Sequence, residues 1–343
     1  MKARENPLSL PSPPLHGGEG RAHLRSGALT IAAWALVFAA LAALPFAATK
    51  FVTYLATRVM LLGIFAVGYD LLLGRTGLLS FGHGAFYAAG AYALGLFSMR
   101  VTPHPLLGVA VGVAAAVVLA VAVGFFCVRS SEVYFSMLTL AFGMMFFAFV
   151  WNARELTGGD DGLVGIARRP LDLGFARIPI AKESQFYFFV LAFFALAVAV
   201  AHRLRSSPFG LALAGIRENA TRAEFAGVAV RRYRLAAFVL SASFAGLAGA
   251  LEALLESNAR PFMAHWTHSA EPILVGLLGG IGTLPGPLLG SLLFIAMREI
   301  VQRFTEHWML AMGVVLLFII AAFRGGIVGT IAERLGRRAG AGS

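Results

Sequence analysis

The residues best placed to do chemistry in this chain are a few ionisable groups set inside long apolar runs. Arg58 and Asp70 share the run 51–73, His83 follows a glycine, and Glu252 and Glu256 stand four apart on one helix face. Charge at membrane depth is costly, so such groups serve solute or ion passage by default. Each also has a plainer reading. Arg75 lies across a turn from Asp70 and is its expected structural partner. Arg58 is expected to snorkel to the interface. A lone His is more often a satisfied core group than a ligand. Glu252 and Glu256 are expected to line an outer vestibule or to dock a protein. Catalytic readings fare worse. His265 and His268 lack a third ligand at metal spacing, and no nucleophile elbow or carboxylate pair is present. A phosphate loop needs Lys after Gly, and neither Lys2, Lys50 nor Lys182 follows one. The expectation is no catalytic residue, no metal, no cofactor bound by this chain, and no enzyme activity.

Those residues need a scaffold, and composition says which kind. Charged residues make up 13% of the chain and hydrophobic ones 59%, against about 25% charged in a soluble domain. The charges are bunched, leaving charge-free stretches such as 26–49, 101–128 and 133–153, close to the roughly 20 apolar residues of a spanning helix. Spans are expected over 28–48, 51–73, 76–99, 106–128, 134–151, 185–201, 235–255, 272–297 and 308–323. Gly77, Gly82, Gly84 and Gly90 interrupt the third, and the run Gly279 to Pro287 breaks the eighth. Interrupted segments in the two halves point to a transport site. Close helix packing through small residues is the rival reading. The fold class expected is all-α: a polytopic membrane protein of about nine to ten transmembrane helices, including broken or re-entrant segments.

The formal net charge is +11, yet no basic stripe interleaved with aromatics suggests nucleic acid. Arginines instead cluster at span ends, where they set topology and meet anionic lipid. With the amino end inside, segment 202–234 with seven Arg is cytoplasmic, and 152–184 with five Lys or Arg is periplasmic. Placing the basic carboxyl tail inside as well requires 272–297 to cross as two short helices. Residues 1–27, rich in Pro, Gly and Ser, read as a disordered cytoplasmic tail, 28–328 as the permease domain, and 329–343 as a basic cytoplasmic tail. Cys127 reads as a small buried hydrophobe.

The cytoplasmic segment carries the most information. Ser207 caps and Pro208 opens a helix. Phe209, Leu213, Ile216, Ala220, Ala223 and Gly227 then recur at spacings of three and four on one narrow face. Thr221-Arg222-Ala223-Glu224 offers an alternative restart as a capping box. So small a face suits another protein's groove better than lipid. With Ile216-Arg217-Glu218-Asn219, Ala223-Glu224-Phe225-Ala226-Gly227 and the glycines of 245–251, this stretch resembles the EAA-type loop of ABC-importer permeases, within them the branched-chain amino acid permeases of the LivM type. Four further stretches match in order: Gly74-Arg75-Thr76-Gly77 through Phe86, Tyr134 through Phe142, Leu156 through Leu163, and His265 through Pro287. Asp70 departs from the family, which commonly carries Asn there.

The resemblance implies a function and its parts. Glu218, Asn219, Ala223, Glu224 and Gly227 would couple to cytoplasmic ABC ATPase subunits, which bind the ATP. Ser80, Gly82, His83, Tyr134, Thr139, Gly279, Gly280, Gly282 and Thr283 are candidates for the translocation path. Thr157, Gly158, Gly159, Asp161 and Glu271 are candidates for docking a periplasmic solute-binding protein. A sister permease would complete a heterodimer in the bacterial inner membrane, importing branched-chain amino acids. Two alternatives stay open: an ABC permease for urea or amides, and an ion-coupled carrier using Asp70, Glu252 and Glu271.

Overall fold

The computed structural model describes residues 34–130, 132–172, 177–307, 310–314, 317–318 and 326. The tails at 1–27 and 329–343, and most of the span expected over 308–323, lie outside the described residues. Two compact units divide at residue 47. The first contains one described apolar helix, α1 (Trp34–Ala47).

The second unit is built on long helices whose ends follow local capping rules. Thr49 accepts from Val52 N to open α2 (Lys50–Thr76), and Gly77 at φ 77° closes it, a left-handed position that costs glycine nothing. Helix α3 (His83–Arg100) follows an extended stretch, so the third span is interrupted as its glycines predicted. His104 caps α4 (Pro105–Cys127), with Pro105 in the first turn where its missing N–H is harmless. Then come α5 (Glu132–Asn152), the one-turn α6 (Arg154–Thr157) and α7 (Glu183–Ser206). The segment expected to be cytoplasmic folds as α8 (Pro208–Glu218) and α9 (Ala220–Phe225), before α10 (Val230–Glu256). The eighth span is two helices, α11 (Trp266–Gly279) and α12 (Pro285–Phe304). Among the described residues five helices are long and apolar enough to cross a membrane: α2, α4, α5, α7 and α10.

Cross-chain contacts fix the directions. Arg205 at the end of α7 and Gly282 after α11 both meet Asp70 near the end of α2. Tyr54 at the start of α2 bonds Glu256 at the end of α10, and Arg303 near the end of α12 lies 6.0 Å from the Phe51 ring. Thus α7 and α11 run with α2, and α10 and α12 run against it. By the arginine count, the Asp70 end is the inner one. At the other end, β1 (Leu163–Val164) pairs antiparallel with β4 (Asn258–Ala259), Leu163 opposite Ala259, while β2 (Leu171–Asp172) pairs with β3 (Arg177–Ile178).

The core lies where α10 packs on α2, α3 and α4. Glycine and alanine line these contacts, so the backbones touch. A Cβ on Gly90 would stand 2.1 Å from the Gly246 carbonyl oxygen, and one on Gly249 would stand 1.9 Å from that of Tyr87. Between apolar helices in lipid, such close approach replaces the hydrophobic drive available in water.

Candidate transport and coupling sites

At the inner end one carboxylate joins four elements. Asp70, 3% exposed, pairs with Arg205 of α7 and accepts from Gly282 N at 2.7 Å, in the turn between α11 and α12. One turn further along α2, the Gly74 carbonyl accepts from Arg217 of α8. A Cβ on Gly74 would stand 2.6 Å from the Asp70 carboxylate, so a side chain there would push that carboxylate off its partners. The expected Asp70–Arg75 pair is therefore corrected. Five residues along a helix turn the side chain about 140° away, and Arg75 Nε is buried without a partner.

The interrupted segment solves a backbone problem. Non-helical chain at membrane depth survives only where protein satisfies its polar groups. Tyr69 Oη donates to Ser80 O at 2.8 Å and accepts from Ser80 N at 2.9 Å. His83 Nδ1 meets Ser80 Oγ at 2.8 Å and its Nε2 meets Ser241 Oγ at 2.9 Å, while Gly84 N donates to Ser269 Oγ at 2.7 Å. Rings of Tyr69, Phe86 and Phe238 enclose the imidazole. Ser80 and His83 are wholly buried. Both therefore lie in the packed core of the bundle, His83 with each ring nitrogen bonded.

The other path candidates separate into three places. Gly82 and Thr139 border an apolar crevice of about 280 Å³ with Phe86, Phe142 and Phe146. Tyr134 stands on the open face of α5, beside exposed Met137, Met145 and Phe149. Gly279, Gly280, Gly282 and Thr283 line neither this crevice nor the larger outer cavity. They build the inner turn: Gly280 and Gly282 have positive φ, and a Cβ on Gly279 would stand 1.8 Å from Gly286 O. Thr283 Oγ1 donates to Gly280 O and accepts from Gly286 N. Here small residues serve a tight reversal.

At the outer end, Thr157 is buried and donates to Val150 O and Ala153 O. Gly158 and Gly159 take positive φ in the turn that follows, leaving Asp160 and Asp161 exposed. Arg168 binds the Leu254 and Leu255 carbonyls over the Phe186 ring, and burial lowers its pKa from the ordinary value. Glu271 does not share the surface of Asp161. It lies on α11, 25% exposed, 3.4 Å from His268 and 3.6 Å from Arg298.

The helix pair α8–α9 has one held face and one free face. Leu213 and Ile216 are buried, Phe209 stacks on Tyr233 at 5.6 Å, and Arg217 reaches Gly74. Asn219, at φ −160° and ψ 101°, ends α8 and caps α9 by accepting from Arg222 N at 2.8 Å. The continuous face expected from Phe209 to Gly227 is thus split, and the restart falls at Ala220 rather than Thr221. Glu218, Asn219 and Glu224 are exposed, Ala223 is half-buried, and Gly227 takes φ 86° with open space around it. Phe225 is 90% exposed. Its place between Glu224 and Ala226, in the motif shared with the importer permeases, was the signal for it in the sequence.

Antiparallel apolar helices with satisfied internal breaks, and a helix pair held on the basic side, define a polytopic membrane permease. The family model described as "Branched-chain amino acid transport system / permease component" matches residues 51–323, and the chain belongs to that family. It is 29% identical over 300 residues to the high-affinity branched-chain amino acid transport system permease protein LivM of Escherichia coli (strain K12), covering 80% of this chain and 69% of that protein. To LivH of the same organism it is 26% identical, covering 78% and 90%. A putative glucose ABC transporter permease protein of Haloferax volcanii, TsgC13, is 29% identical over 53% of this chain and 56% of its own length. No solved structure matches the chain at a significant level.

Proposed function

We propose that this chain is the permease subunit of an ATP-binding-cassette importer for branched-chain amino acids, working in the bacterial inner membrane with partners. The observation that carries the reading is the two-faced α8–α9 pair. Its free side offers Glu218, Glu224 and Phe225, while its held side reaches α2 through Arg217 and, through Asp70, the α11–α12 turn. Cytoplasmic ATPase subunits bind the ATP and receive the free side in a groove. Their closure displaces α9, and the arginine contacts pass that displacement to the inner ends of α2, α7 and α11. Packed interfaces of this kind shift between discrete arrangements, so the bundle rocks between inward and outward access.

A sister permease covers the open face of α5 and completes the path beside the Gly82–Thr139 crevice. A periplasmic solute-binding protein docks on the outer loop around Thr157–Asp161 and delivers the ligand. The naming of LivM and LivH relatives as branched-chain amino acid permeases favours these substrates over urea or amides. A face so suited to docking speaks against a self-sufficient ion-coupled carrier.

The test is uptake of radiolabelled leucine into vesicles holding the chain, its sister permease, ATPases, binding protein and ATP. ATP-dependent uptake is expected, with loss of at least tenfold in Glu224→Arg at unchanged protein level. Uptake by the chain alone under an ion gradient would overturn the reading.

A further inference from the structure

A cavity of about 540 Å³ lies toward the outer end between α2, α10, α11 and α12. It is the size of a small-molecule site, usually about 300–1,000 Å³. Three arginines (Arg58, Arg260 and Arg298), two glutamates (Glu252 and Glu271) and His268 line it. Glu271 is held by His268 and Arg298, and Glu252 accepts from Tyr87 Oη. One group remains open: His268 Nε2 is buried without a hydrogen-bond partner. Arg58 lies over the Tyr54 ring at 6.0 Å and feels the charge of Glu252, but among the described residues it makes no ion pair. A purely structural network would close on itself, since an unmet buried polar group is costly. Here a cation and a ring nitrogen border a void instead. Arg58 is half-buried and lines this cavity.

The rest of the wall is apolar. Leu61, Leu62 and Phe65 of α2 face Phe294 and Ile295 of α12. Opposite charges at one part of a cavity and aliphatic and aromatic groups over the remainder match a small zwitterion with an apolar side chain. The cavity shares no lining residue with the crevice beside α5.

We propose that this cavity is a binding site for an apolar α-amino acid within the permease itself. Arg58 takes the carboxylate, Glu252 the ammonium group, and Phe65 and Phe294 the side chain. The inference rests on the importer reading above and adds to it, at the outer end, a second point of selection between the binding protein and the path beside the Gly82–Thr139 crevice. It predicts that the permease pair, without binding protein or ATPase, binds amino acid on its own.

The test uses the purified permease pair in nanodiscs, with radiolabelled leucine as probe. Saturable binding is expected, weakened at least tenfold by Arg58→Gln and by Glu252→Gln and largely kept by Arg58→Lys. In a second measurement Leu274→Cys, on the cavity wall, is labelled by a maleimide and protected by leucine. The native Cys127 is buried and serves as the silent background. Protection of Leu274→Cys would support the site even where a charge variant fails to assemble. Assembled Arg58→Gln and Glu252→Gln complexes that import leucine with wild-type KM, or labelling indifferent to leucine, would overturn the site while leaving the importer standing. A wild-type complex that moves no amino acid would instead bring down the functional reading, and this inference with it.

Discussion

Helices α5 and α10 have similar length and hydropathy, yet one is the centre of the molecule and the other its open side. In the apolar window of α10, 72% of residues are buried, against 22% in α5. Side-chain size makes the difference. Helix α10 presents Ser241, Ala245, Gly246, Gly249 and Ala253 to its neighbours, and their backbones come into contact. Helix α5 buries only Phe135, Thr139, Gly143 and Val150, and turns Tyr134, Met137, Met145 and Phe149 outward. Apolarity alone qualifies a helix for the membrane. Small residues at spacings of three and four say which helix the rest of the bundle is built around.

The sharpest way to break this contrast is to add bulk to α10. In Gly249→Leu the side chain would begin 1.9 Å from the Tyr87 carbonyl oxygen, a backbone atom that cannot step aside. Overpacking a rotamer-tolerant core costs about 1–3 kcal/mol, and a clash with backbone exceeds that. No stably folded protein is expected in the membrane fraction by fluorescence-detected size exclusion. A monodisperse Gly249→Leu protein would mean that α10 is not the tightly packed centre.

Next in size is Asp70→Ala, which strands Arg205 at 6% exposure. Breaking one side of a buried pair costs about 3–5 kcal/mol, so a large drop in thermal midpoint is expected from tryptophan fluorescence. Asp70→Asn should lose less, because the amide oxygen still accepts from Gly282 N. Equal midpoints for Asp70→Ala and wild type would show that the pair holds nothing together.

Much of this was legible in the residues. Long apolar runs, the one at 51–73 with Arg58 and Asp70 inside it, marked the long helices, and the glycines of 77–84 and 279–286 marked the breaks. The partner of Asp70 was not legible. A buried carboxylate requires a cation, but nothing one-dimensional chooses Arg205, 135 positions away, over neighbouring Arg75. Nor could glycines at 279–282 be assigned between lining a path and packing a turn, because a missing side chain serves both. At Asn219 the signal was present and was read two residues late: its side chain, not that of Thr221, caps α9.

Arg217 sharpens the comparison from the cytoplasmic side, since it joins the free helix pair to the packed bundle. Arg217→Ala removes the bond to the Gly74 carbonyl, worth about 1 kcal/mol of stability. The larger consequence is functional: ATP hydrolysis by the assembled complex should continue while leucine uptake falls at least fivefold. Uptake that tracks hydrolysis as in wild type would mean that displacement of α8–α9 reaches the bundle by another route.

The smallest effect is expected on α5. Met137 is 63% exposed, and substitutions away from packed or bonded positions usually fall within about 0.5 kcal/mol. Met137→Ala should leave the thermal midpoint of the isolated chain unchanged. Its effect should appear only when the sister permease is present, as weaker co-purification of the pair, because truncation then removes contact across an interface. A midpoint that falls in the isolated chain would show α5 to be held against its own bundle, and the contrast with α10 would collapse. An unchanged midpoint with unchanged pairing would return Met137 to lipid and move the partner's contact to another face of α5.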